Sequence, residues 1–117
     1  MNLISKNLNT IKKSKFIGYY YHLDNIDEIA NIIQNIKLEH KKADQFPYAY
    51  KINNIIKKSD DNEPRGYAGI GIVKAINERG LDNCLIIVVR YFGGIKLGTG
   101  ALLRAYMHSA LEVTKKS

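Results

Sequence analysis

The sequence predicts an α+β two-layer sandwich folded as a single domain over residues 1–117. Strand-like and helix-like segments alternate in the order β-α-β-β-α-β-α, a pattern that packs helices against a sheet. A fully apolar run at 84–89 reads as a central strand. No repeat, linker or low-complexity stretch divides the chain, and it has only 2 prolines. The expected arrangement places the helices on one face of a mixed sheet.

Residues 1–15 are polar and lysine-rich and fit a loosely held first strand. Residues 16–23 are rich in aromatics and read as a strand. Asp24 and Asn25 then offer oxygens that can cap a helix. Ile26, Ile29, Ala30, Ile33 and Ile36 follow at helical spacing, which predicts a helix over 25–40. Residues 46–52 form the next strand. Pro47 lacks a donor, so this strand should lie at an edge or begin there. Asn53-Asn54 marks a turn into a short strand at 55–58, completing a hairpin. Ile72, Val73 and Ile76 recur at helical spacing within 68–78, and Gly80 is placed to stop that helix. Residues 85–92 are a strand broken only by Arg90. The last helix spans 101–113, with Leu102, Leu103, Tyr106, Ala110 and Val113 on one face.

Composition is that of an ordinary globular protein, with 45% hydrophobic and 25% charged residues. Lys and Arg outnumber Asp and Glu by 18 to 11, giving a net charge of +7. An excess of this sign favours anionic partners such as RNA or ribosomes. The lysine pairs are scattered along the chain, as they would be on a merely solvated surface. The single cysteine, Cys84, excludes an internal disulfide. It lies in an apolar run and reads as a small core residue in a reducing compartment. The first 15 residues hold no signal-peptide core, and no apolar run is long enough to cross a bilayer. A cytoplasmic protein without a membrane partner is expected. His22, His40 and His108 are far apart and suit ordinary surface or strand-end roles.

Two stretches carry more information. The first is Arg90-Tyr-Phe-Gly-Gly-Ile-Lys-Leu-Gly-Thr-Gly-Ala-Leu-Leu-Arg-Ala-Tyr106, a strand end, a loop over 93–100 and a helix start. Gly93, Gly94, Gly98 and Gly100 permit positive φ and a close approach of ligand to backbone. A helix N-terminus presents free amides and positive dipole, so it can hold an anion. Arg90, Lys96 and Arg104 would add charge, and Thr99 could cap the helix or bind a phosphate oxygen. The P-loop pattern fails because Thr99 stands where its lysine belongs. The dinucleotide fingerprint fails because Leu103 follows Gly98 and Gly100. The competing reading is that these glycines only permit a tight turn and close packing.

The second stretch is Ser59-Asp-Asp-Asn-Glu-Pro-Arg-Gly-Tyr-Ala-Gly69, with candidate residues Ser59, Asp60, Asp61, Glu63, Pro64 and Gly66. Its carboxylates could bind a divalent cation or split into an acid and a base. They could equally form a solvated acidic loop in which Glu63 caps the next helix. No histidine cluster accompanies them. No catalytic residue, metal ligand or cofactor is therefore assigned, and a metal-assisted hydrolase using Asp60, Asp61 and Glu63 stands as the alternative function.

Together the two stretches resemble the IMPACT family signature. That signature runs Ser-Asp-Asp-Gly-Glu-Pro-x-Gly-x-Ala-Gly, then Arg-Tyr-Phe-Gly-Gly-x-x-Leu-Gly-x-Gly-x-Leu-x-Arg-Ala-Tyr. Residues 13–17 and Tyr48-Ala49-Tyr50 extend the resemblance, which covers about 10–113. Asn62, Arg65 and Tyr67 depart from the pattern. Gln45, Phe46 and Pro47 stand where the family often has histidine and cysteine. The resemblance implies a fold like the second domain of ribosomal protein S-five, shared with domain IV of elongation factor G. It implies a link to translation; the charge of +7 and the basic residues around the glycine loop then make RNA, the ribosome or a translation factor the expected partner and that loop the contact. The tyrosines at 19–21 could stack on bases, although at least one must face the core. Many bacterial members add a C-terminal ferredoxin-like domain and eukaryotic ones an N-terminal RWD domain. Neither is expected within these residues.

Overall fold

The structure is a computed structural model and describes residues 2–63 and 66–116. Its elements are β1 (Leu3–Ile11), β2 (Ser14–His22), α1 (Glu28–Glu39), β3 (Tyr48–Ile52), β4 (Ile55–Ser59), α2 (Tyr67–Arg79), β5 (Cys84–Tyr91) and α3 (Thr99–Val113). The strands form one 5-stranded sheet in the order β1-β2-β5-β3-β4. Every pairing is antiparallel. Leu3–Ile11 therefore supply a full edge strand in place of the loosely held one expected. β1 and β2 are joined at Lys12 and Lys13, both at positive φ. The second hairpin turns at Asn53 and Asn54, with φ of 51° and 63°, the left-handed pair that two-residue hairpin turns demand.

β5 sets the layering. Cys84, Ile86 and Val88 face α2 and α3, while Leu85, Ile87 and Val89 face α1. All six are at most 1% exposed. The α+β class stands, but the expected sheet is not mixed, and its helices are not on one face. α1 lays Ile29, Ile32 and Ile36 on the side opposite α2 and α3, which makes three layers rather than two. The physical reason is β5 itself: a strand with no polar side needs cover on both faces.

Local chemistry fixes the helix ends. α1 begins later than residue 25 because Asn25 forms a turn, its Oδ1 accepting from the Asp27 amide at 2.7 Å. The Glu28 carboxylate reaches back to the amides of Asp24 and Asn25 at 2.6 and 2.9 Å. α2 stops at Gly80, at φ 61°. Pro47 immediately precedes β3, which is an interior strand, and its carbonyl accepts from Val88 N at 2.9 Å. Tyr19 and Tyr21 are buried against α1 and Tyr20 packs on the other face. They form no exposed stacking platform.

Candidate anion-binding cleft

Arg90 lies on the α2–α3 side of β5 and is 5% exposed. Its Nη1 donates to both carboxylate oxygens of Glu63, at 3.0 and 2.8 Å. Nη2 reaches Ser14 Oγ at 3.4 Å. The Tyr106 hydroxyl also donates to Glu63. Burial and the Glu63 charge push the Tyr106 hydroxyl well above the usual tyrosine range, which keeps it protonated and a donor. The guanidinium carbon stands 5.5 Å from the Phe16 ring and 5.4 Å from the Phe92 ring. The two sequence motifs thus meet at a buried ion pair. Arg90 is held by Glu63 and is not a free surface cation, because a guanidinium this deep needs a counter-charge. Its Nε is buried with no partner among the described residues.

The acidic loop is spent on the fold. Asp60 Oδ1 accepts from Gly69 N at 2.7 Å and so caps α2, the task expected of Glu63. Asp61 Oδ2 accepts from Phe46 N at 2.7 Å, and the Asp61 amide donates to Ser59 Oγ at 3.3 Å. Asp61 and Asn62 take positive φ, which turns Glu63 inward. The carboxylates therefore diverge onto separate partners. Among the described residues, no group of three or more His, Cys, Asp or Glu side chains could hold a metal ion. Gly66, at φ 75°, precedes α2. Pro64 and Arg65 lie outside the described residues.

The glycines of the stretch from Arg90 to Tyr106 divide into two pairs. A Cβ on Gly93 would stand 2.0 Å from the Lys13 carbonyl oxygen, so the turn between β1 and β2 demands that glycine. Gly94, at φ 90°, is needed for its backbone conformation. Gly98 and Gly100 are different. Gly98 has φ −67° and ψ 167°, open to any residue, and a Cβ there would meet nothing within 4 Å. At Gly100 a Cβ would meet only the movable end of Arg104, at 3.2 Å.

These two glycines begin α3. Leu102 N donates to Gly98 O at 2.8 Å, and no side chain among the described residues caps the helix. Thr99 is thus not a cap, and Gly98 and Thr99 border a cleft of about 770 Å³. Lys96, Gly98 and Thr99 from the start of α3, Asp44 and Gln45 from the segment before β3, and the Arg90–Glu63 pair line this cleft together. Phe92, 45% exposed, and Leu102 add apolar surface. The segment before β3 is tied to β5 and its end: Asp44 Oδ2 accepts from Phe92 N at 2.7 Å, and Arg90 N donates to Gln45 O at 2.9 Å. Of the expected anion-binding residues, Arg90, Lys96, Gly98 and Thr99 line the cleft. Arg104 is near Gly100, whereas Gly93 packs on the β1–β2 turn. Sequence reasoning missed Asp44, Gln45 and Phe92. Only Phe92 lay within a motif that could have flagged it.

Comparison with known proteins agrees with this arrangement of motifs. Residues 12–114 match the family model for the Impact N-terminal domain. The chain is 41% identical over 105 residues to the IMPACT family member YvyE of Bacillus subtilis, covering 87% of this chain and 48% of that protein. It is 35% identical over 101 residues to the IMPACT family member YigZ of Escherichia coli, covering 82% and 50%. The chain thus spans about half the length of the curated relatives it matches. A crystal structure of a hypothetical protein superposes with a TM-score of 0.86 at 30% identity, over 96% of this chain and 59% of that one. The two-domain translational regulator Yih1 superposes with a TM-score of 0.56 at 19% identity, over 93% and 47%, a likeness of fold. Among the described residues no helix is long and apolar enough to cross a membrane. With the family model matching almost the whole chain and both signature stretches meeting at Arg90 and Glu63, the chain belongs to the IMPACT family through its Impact N-terminal domain.

Proposed function

We propose that this domain is a translation-associated binding module that takes an RNA phosphate, on free RNA or on the ribosome, in the cleft before α3. One observation carries the reading. Gly98 and Gly100 have no structural need to be glycine, and they leave the amides of an uncapped helix start bare beside Lys96 and Arg104. Bare amides and the positive helix end are suited to a phosphate oxygen. The net charge of +7 draws polyanions towards the surface. The fold likeness to Yih1, described as a translational regulator, supplies the translation context by analogy. Such a role belongs in the cytoplasm.

The test is binding of a short single-stranded RNA at low salt, followed by fluorescence anisotropy. Lys96→Ala with Arg104→Ala should weaken binding at least about ten-fold, across sequences, because phosphate contacts are sequence-blind. No RNA affinity, with nuclease-resistant capture of ribosomal or factor protein, would replace RNA by a protein partner.

A further inference from the structure

We infer that the cleft seats a whole nucleotide, reading its base as well as its phosphate; this rests on the reading that an anion docks at the α3 N-terminus. The cleft is two-sided in its chemistry. Lys96 and Thr99, at the start of α3, bring donors to it. Asp44, held beside β5 by its bond to the Phe92 amide, brings a carboxylate acceptor. A bare phosphate would use only the donors and be repelled by Asp44.

A further feature points to a planar group in the cleft. Phe92 is 45% exposed at the cleft. The Arg90 guanidinium backs its ring at 5.4 Å, so a base can stack on surface that remains accessible. Arg90 itself is 5% exposed and its Nη1 is held by Glu63, so it braces the Phe92 ring from behind and does not meet the ligand. The N–H groups of a stacked base supply donors to the Asp44 carboxylate, which lines the same cleft. Phosphate, ribose and base together match a cleft of about 770 Å³, within the size of small-molecule sites.

The experiment is calorimetric titration of the chain with AMP, CMP, GMP and UMP, against ribose 5-phosphate and inorganic phosphate. At least some nucleotides should bind about ten-fold or more tightly than ribose 5-phosphate, as base stacking on an aromatic ring allows. Phe92→Leu keeps apolar bulk on an exposed position and should erase that advantage while leaving ribose 5-phosphate unchanged. Lys96→Ala should weaken every ligand alike. Equal binding of nucleotides, ribose 5-phosphate and inorganic phosphate would overturn base reading and leave the phosphate seat standing. RNA binding without any response to these small ligands would also overturn it. Failure of both RNA and nucleotides would remove the proposed function as well.

Discussion

Glu63 neutralises a guanidinium that β5 carries into the interior beside Phe16 and Tyr106. Removing one partner leaves an uncompensated charge, whereas removing both leaves only the Ser14 and Tyr106 hydroxyls to be satisfied. Glu63→Ala should therefore cost about 3–5 kcal/mol in urea unfolding. Arg90→Met in that background should recover much of the loss; simple additivity of the two substitutions would show that the pair is not coupled. His40 is the second residue whose setting differs from the sequence expectation. It is 9% exposed, not a surface histidine. Its Nε2 meets the Tyr19 hydroxyl and its Nδ1 the Tyr91 hydroxyl, each at 2.6 Å. Burial holds its imidazole below the ordinary value, with Lys6 adding to the shift and Glu39 opposing it. The unfolded chain thus takes up this proton first as pH falls. The stability from neutral His40 is complete above about pH 6.5 and declines as pH drops through that value toward the folded-state value. Melting temperature should fall between about pH 7.5 and 5.5, and His40→Gln should flatten that slope. Equal slopes in the two proteins would rule out His40 as the source.

At the level of elements, the start of α3 tests whether its glycines serve folding or binding. Gly98→Ser places a hydroxyl at an uncapped N-cap and should stabilise by a few tenths of a kcal/mol, roughly the margin between Gly and Ser there. Gly100→Ala should add about 0.5 kcal/mol from helix propensity. Both should weaken RNA binding, by filling space in front of the amides. Gly93→Ala should instead destabilise by about 1–3 kcal/mol, since backbone must move from Lys13. Thermal melts beside binding curves read both signs, and unchanged RNA affinity in the first two variants would detach these glycines from function. Much of the element plan was legible because its signals are local. Gly80 and Asn53-Asn54 need only their neighbours to take left-handed backbone. The side on which α1 packs is not local, although the two-sided apolar character of β5 already implied a cover for each face. The cleft was legible from its α3 side alone. Asp44 and Gln45 reach it through the pairing of Gln45 with Arg90, and Glu63 reaches Arg90 across 27 positions. No spacing rule in the chain announces either contact.

For the molecule as a whole, the question is whether its charge of +7 acts diffusely or through one seat. α3 separates two pairs of cations that are equal in charge. Lys96 and Arg104 belong to its start, and Lys115 and Lys116 follow its end. A helix of 15 residues is roughly 22 Å long at 1.5 Å per residue. That is about twice the screening length at 0.1 M salt, so the distal pair contributes little field at the cleft. For single-stranded RNA, each phosphate that a cation neutralises adds about 0.7 to the slope of log affinity against log salt. Lys96→Ala with Arg104→Ala should therefore flatten the slope by about 0.7 for every phosphate no longer neutralised. Lys115→Ala with Lys116→Ala makes the same change in net charge and should leave the slope alone. If both pairs flatten it equally, attraction is a property of the whole surface, and the bare amides of α3 hold no privileged phosphate.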